Sequence, residues 1–225
     1  MVIDMCGRFV LSEKTWAAYH GALSILQGTE GSVSYNIKPT QSVHIAYLLD
    51  DAFTTDTARW WFVPEWHKGP VAEWKATTFN AKIETAHEKP SFRNAWKFGR
   101  CLIPASGYYE WTGKKGSKTP WFIQPQMNAP VFFFAGLYAP LQQGGFSCTI
   151  LTRPAYSELA HLHPRMPVML TETEIMPWLS QTFDDVKILD NLGLGYQHKM
   201  KTYPVQPFGI NDDDPTLIDR DGFVF

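Results

Sequence analysis

The chain has 225 residues, 44% of them hydrophobic, which is enough to bury a substantial core as one large domain. A net charge of −2 excludes a globally basic nucleic-acid-binding protein. No apolar run approaches the roughly 18 residues a spanning helix needs, and Met1 to Asp4 carry neither the basic region nor the apolar stretch of a signal peptide.

In chain order, Ser12 reads as a helix N-cap. Trp16, Tyr19, Leu23 and Leu26 then recur at helical spacing, which predicts an amphipathic helix over 12–27, ended by Gly28 and Gly31. Strands are expected over 43–49, 57–63, 103–111, 120–124, 131–138 and 146–152, separated by Gly, Pro and Lys turns. Gly113-Lys114-Lys115-Gly116 reads as a hairpin tip. Thr171 and Glu174 have capping-box spacing ahead of a helix through Trp178. The acidic run Asp212-Asp213-Asp214-Pro215 reads as a surface turn. Many strands with few helices between them imply a mixed, mostly antiparallel sheet or barrel with helices outside. Linkers, internal repeats and low-complexity segments are absent.

Charge is unevenly spread. Residues 80–118 hold eight Lys and Arg (Lys82, Lys89, Arg93, Lys97, Arg100, Lys114, Lys115 and Lys118) against Glu84, Glu88 and Glu110. Such a segment suits a local phosphate-binding face and equally suits ordinary solvated surface. The aromatic fraction of 15% fits a β-rich core, with a base-stacking platform as the alternative. The three cysteines, Cys6, Cys101 and Cys148, lack CxxC spacing, which argues against structural zinc and suits a reducing compartment.

Four segments carry possible chemistry. Met5-Cys6 is a natural start, because removal of Met before a small residue exposes the next one. An N-terminal Cys joins an α-amine of pKa about 7.7–8.0 to a thiol of about 8.5 on adjacent carbons. The amine takes up an aldehyde as a Schiff base, and the sulfur closes it to a five-membered thiazolidine. The alternative for Cys6 is a buried, inert thiol. In Phe79-Asn80-Ala81-Lys82-Ile83-Glu84-Thr85, Asn80 and Lys82 share one face of an extended segment, where Asn80 orients an amine or simply ends a strand. Glu110 lies among aromatics in Ser106-Gly107-Tyr108-Tyr109-Glu110-Trp111. Burial there would raise its pKa and suit it to acid–base work, whereas an edge strand would leave it in water. In Leu162-His163-Pro164-Arg165-Met166-Pro167 the prolines hold His163 in a rigid loop, as a proton shuttle or a structural imidazole, with His161 as a competitor.

In order, these motifs resemble the SOS-response-associated peptidase-like (SRAP) family, whose members shield abasic sites in single-stranded DNA through a DNA–protein crosslink. The matching pieces are Met5-Cys6-Gly7-Arg8-Phe9, Tyr35-Asn36-Ile37-Lys38-Pro39, 60–66 (Trp60 to Trp66), 80–85, 101–111 and His163-Pro164-Arg165-Met166-Pro167-Val168. The resemblance implies a single α+β domain with a mostly antiparallel, β-barrel-like core, flanking helices and a basic cleft. It implies that Cys6 is the nucleophile, that Asn80 positions its amine, that Glu110 is the acid–base residue that opens the sugar, and that His163 manages protons. Arg8, Asn36, Pro39, Trp66, Lys82, Thr152 and Arg165 fall where the family binds phosphates or stacks bases. Abasic single-stranded DNA is the implied partner, met as a monomer in the cytoplasm, without cofactor, metal or membrane. Residues 1–5 are then a leader removed to expose Cys6, or lie before the true start, and 6–225 form the domain. A thiol peptidase acting through Cys6 and His163 on its own N-terminus is the alternative activity.

The chain departs from that family's pattern at three places. Trp61 stands where Gly is usual, Lys82 where Arg is common, and His67 where some members carry a second Trp. Lys82 offers a point charge without a bidentate fork. From Tyr203 onward the match is loose.

Overall fold

A computed structural model describes residues 7–22, 33–126, 132–180 and 191–221. The first half contains β1 (Phe9–Leu11), α1 (Glu13–Ala22), β2 (Ser34–Ile37), β3 (Ser42–Leu49), β4 (Ala52–Trp60), β5 (Asn80–Lys82), α2 (Ile83–Ala86) and α3 (Arg93–Phe98). The second half contains β6 (Arg100–Ala105), β7 (Gly107–Lys114), β8 (Ser117–Pro125), β9 (Phe132–Pro140), β10 (Phe146–Pro154), β11 (Arg165–Pro167), β12 (Met169–Leu170), α4 (Glu172–Leu179) and β13 (Met200–Pro204).

The strands form two sheets. One runs in the order β13-β8-β7-β1-β2. In the other, β4 pairs with β10 on one side and β3 on the other, β3 pairs with β6, β6 with β9, and β9 returns to β10. These five strands close into a ring. All pairings are antiparallel except those of β10 with β4 and β5. The mixed α+β domain expected from the sequence is therefore observed. Among the described residues no helix is long and apolar enough to cross a membrane.

Side-chain alternation splits the ring strands between two apolar layers. Cys101, Ile103 and Ala105 of β6, with Phe132 and Phe134 of β9, pack into one core together with Phe9, Trp60 and Ile150. Their neighbours Leu102, Phe133, Ala135 and Leu137 pack outward beneath Trp96 of α3 and Trp178 of α4. Both faces being buried, β6 reads as an unbroken buried run. The capping box forms as expected, with Thr171 N–H and Oγ1 donating to Glu174 Oε2 at 2.8 and 2.6 Å. The hairpin tip also forms, Lys114 pairing with Ser117.

Two expected boundaries change. The single strand over 103–111 is two strands, one in each sheet. The chain crosses at Ser106, whose Oγ accepts from Ser12 N–H at 2.8 Å and donates to Thr15 Oγ1 at 2.7 Å, tying the crossing to the start of α1. The strand over 57–63 begins earlier, at Ala52, and ends at Trp60, because β3 supplies hydrogen-bonding partners only over Ala52 to Arg59. The helix expected over 12–27 is seen from Glu13 to Ala22; Leu23, Leu26, Gly28 and Gly31 lie outside the described residues.

Candidate functional site

A cavity of about 500 Å³ opens where the two sheets meet, lined by Gly7, Arg8, Pro39, Trp61, Phe79, Glu110, Trp111, Lys118 and His163. Cys6 lies outside the described residues, but its chain neighbour Gly7 is part of the cavity wall. The other two thiols are out of contention as nucleophiles. Cys101 and Cys148 are wholly buried, and burial pushes both thiols up, so they stay protonated near neutrality.

Glu110 sits in β7 between Tyr109 and Trp111, opposite Trp121 of β8. It is only 7% exposed, so the surface carboxylate that an edge strand would present does not exist; β7 lies between β8 and β1. His163 occupies the loop before β11. Its Nδ1 lies 3.1 Å from Arg165 N–H and 3.0 Å from Arg165 O. Nδ1 therefore has both a backbone donor and a backbone acceptor within reach, which fixes the ring through the Arg165 main chain. His161 is exposed and packs edge-on to Trp121 at 6.4 Å, away from the cavity lining.

Asn80 opens β5, one residue after the cavity-lining Phe79. The Phe79 carbonyl accepts from Trp60 Nε1 at 2.8 Å and from Ile150 N–H at 3.1 Å, which anchors the backbone that carries Asn80. Alternation holds as expected: Asn80, half-buried, and Lys82, exposed, fall on one side while Ala81 and Ile83 are buried. Trp61 packs on Phe79 at 5.5 Å and donates from Nε1 to Ala76 O at 3.0 Å, so it forms a fixed part of the wall.

Arg8 precedes β1. Its Nη1 donates to Asn36 Oδ1 at 2.6 Å, and its guanidinium lies 5.9 Å from the Trp111 ring centroid. Partial burial lowers its pKa from the usual arginine value, and a guanidinium that starts so high remains a cation at neutral pH.

A second cluster flanks the first, held by β10 between β5 and β11. Arg165 grips Glu84 with both ends of its fork, Nη1 to Oε1 at 2.6 Å and Nη2 to Oε2 at 2.8 Å. Its Nη2 also donates to Thr152 O at 2.6 Å. Lys82 is exposed in this cluster, paired in register with Thr152.

Residues 5–208 match the profile described as SOS response associated peptidase (SRAP). The chain belongs to the SRAP family. This SRAP chain is 32% identical over 227 residues to the abasic site processing protein YoqW of Bacillus subtilis, covering 96% of this chain and 99% of that one. It is 33% identical to YoaM of the same organism, over 89% and 91% of the two chains. The abasic site processing protein YedK of Escherichia coli is 29% identical over 79% of this chain and 80% of its own. In fold it is similar to the crystal structure of a protein from Bacteroides thetaiotaomicron, with a TM-score of 0.77, 24% identity, and coverage of 96% of this chain and 100% of that chain.

The SRAP site gathers some of the residues expected from the sequence and disperses others. Gly7 next to Cys6, Arg8, Pro39, Glu110 and His163 share one cavity, and Asn80 adjoins it. Asn36 is 2% exposed and Thr152 is fully buried, so neither presents a side chain to a ligand: Asn36 holds Arg8, and Thr152 holds Arg165. Trp66 is 52% exposed but lines a different groove, edge-on to Trp74 at 5.4 Å, with Leu49 and Phe98 nearby. His67, beside it, packs on Trp74 and contacts Pro70 O at 3.2 Å. Trp111 and Lys118 also stand in the cavity wall, and Glu84 is the partner of Arg165, three placements for which no local motif in the chain gives a role. The hairpin register alone carried a signal for Lys118, since it sets Lys118 opposite Gly113, two residues beyond Trp111.

Proposed function

We propose that this protein captures abasic sites in single-stranded DNA covalently, through Cys6 once that residue is N-terminal. The observation that carries the reading is the shared cavity: Gly7, Glu110 and His163 line one space, with Asn80 adjoining it. The relatives named as abasic site processing proteins support the same substrate.

The chemistry runs in four steps. Glu110 exchanges protons with the sugar, opening the deoxyribose ring to its aldehyde. The Cys6 α-amine adds to the aldehyde carbon, forming a C–N bond and a carbinolamine. Loss of hydroxide as water, with a proton from His163, leaves a Schiff base. The Cys6 sulfur then adds to that carbon, and its proton ends on the nitrogen, giving a thiazolidine. The net change is loss of one water. Asn80 orients the amine with its carboxamide. Holding aldehyde, amine and thiol together makes these additions effectively unimolecular.

Binding rests on Arg8 and Lys118 at the cavity, Lys82 on its flank, where Arg165 is paired with Glu84, and stacking against Pro39, Trp111 and, farther out, Trp66. Asn36 and Thr152 serve through the arginines they hold.

The deciding test is intact-mass spectrometry of a chain beginning at Cys6, before and after incubation with an abasic single-stranded oligonucleotide. A gain equal to the oligonucleotide less one water is expected. Unchanged mass would sink the reading. The family's description as a peptidase favours a second activity, cleavage of the Met5–Cys6 bond by the same residues. Conversion of chains that begin at Met1 into chains that begin at Cys6, abolished by His163→Ala, is its expected sign.

A further inference from the structure

We infer that the turn Gly209–Asp212 is a positioning element of this site, acting through Asn36 on the Arg8 guanidinium, although no residue of the turn lines the cavity. For DNA binding the inference rests on the reading above; the geometry behind it does not.

The buried Asn36 carboxamide has its polarity set from behind. Its Nδ2 donates to Asp212 O at 2.6 Å, with Gly209 O and Ile210 O at 3.3 and 3.5 Å. Three carbonyls on that side force the NH₂ toward the turn and the oxygen toward Arg8, where it accepts at 2.6 Å. The reverse orientation would set an NH₂ against a guanidinium and an oxygen against three carbonyls. The turn thus fixes the direction in which Arg8 is held.

The same segment supports the second group that touches Arg8. Phe208, just before the turn, packs on Tyr109 at 4.9 Å and at 5.8 Å on Trp111, the same ring that lies under the guanidinium. The turn is itself braced. Asp212 Oδ2 accepts from Gly209 N–H at 2.6 Å, Asp213 Oδ1 from Tyr35 N–H at 2.6 Å, and Lys38 Nζ donates to Ile210 O. Asp212 is exposed, so its carboxylate acts on the site only through this closure.

A pair of substitutions separates that closure from charge. Asp212→Asn and Asp212→Ala remove the same negative charge, but only Asn keeps an oxygen for Gly209 N–H. The direct readout is the rotation rate of the Arg8 guanidinium by NMR on the full chain. Slow rotation in the wild type and in D212N, with severalfold faster rotation in D212A, is expected. Equal rates in D212A and D212N would overturn the inference.

The functional readout is the salt dependence of binding to an abasic single-stranded oligonucleotide. A slope shallower by up to roughly 0.7 in D212A but not in D212N is expected, the share of one phosphate contact. In an Arg8→Ala background the difference between the two variants should vanish. Its persistence there would also overturn the inference. A wild-type protein that binds no oligonucleotide would instead sink the abasic-site reading, and the rotation rates would still decide this one.

Discussion

Glu84 and Arg165 meet fork to fork across 81 residues of chain, with two hydrogen bonds at 2.6 and 2.8 Å. This pair sits beside His163, whose ring is held by the Arg165 backbone. Burial works against the charged Glu84 carboxylate, but the hydrogen bonds and charge of Arg165, with Lys82 behind, hold its pKa below the usual 4.5. A folded value below the unfolded one means that this contribution to stability is complete above 4.5 and drains away as pH falls through the folded value. Glu84→Gln should therefore lose less Tm than the wild type between about pH 6 and pH 3. Thermal melts across that range check it; parallel curves would refute it.

The same substitution frees the charge of Arg165. With Glu84 neutral, a phosphate no longer competes with a carboxylate for the guanidinium. The salt slope of oligonucleotide binding should steepen, by roughly 0.7 for one added contact. Fluorescence anisotropy at several salt concentrations measures it.

Glu110→Gln and His163→Ala should each slow adduct formation by about 10²–10⁴-fold, the range for one positioned proton-transfer group. Gln preserves the shape of a side chain that is 7% exposed, so Tm should hold within a few degrees. Single-turnover rates from denaturing gels test the kinetic half. A large loss of Tm with unchanged rates would make Glu110 a structural residue only.

Cys6→Ala should abolish the adduct and spare most non-covalent affinity, because phosphate contacts and stacking lie elsewhere. Cys6→Ser keeps the amine but replaces sulfur with a poorer nucleophile, so no stable ring should accumulate. A denaturation-resistant adduct from the Ser variant would contradict ring closure through sulfur.

Gly107→Ala should destabilise the protein by about 1–3 kcal/mol through overpacking. A Cβ there would lie 2.3 Å from Phe122 Cζ and 2.9 Å from the Ile123 carbonyl, and the latter cannot yield without moving β8. Because Gly107 begins the strand that carries Glu110, adduct formation should slow as well. Denaturant midpoints and single-turnover rates check the two effects.

Much of this fold is readable along the chain because its signals are local. The capping box at Thr171 and Glu174 spans three residues, and the Gly113 to Gly116 tip is a turn between alternating strands. The identities of Cys6, Asn80, Glu110 and His163 as candidates are also local, since each depends on chemistry carried by a short motif. The break at Ser106 is not local. The buried pattern runs through Ala105 into Gly107 almost without interruption, and only the long-range pairings, of β6 with β3 and β9 and of β7 with β1 and β8, show that the chain changes sheets there.

The sequence by itself determined the mixed α+β class, the family, and the residue types that offer a nucleophile, an acid and a proton shuttle. These follow from periodicity, capping chemistry and motifs in which neighbours are covalently fixed. Tertiary structure decided which of those groups share a cavity and which charges remain available. Trp66 was sent to a separate groove, Glu84 was set against Arg165, and Asn36 was buried between Arg8 and a turn 176 residues away. Composition left the polarity of that carboxamide open. It is settled only where three backbone carbonyls and one guanidinium converge on it, a convergence that brings together β2, the residue before β1 and the segment after β13.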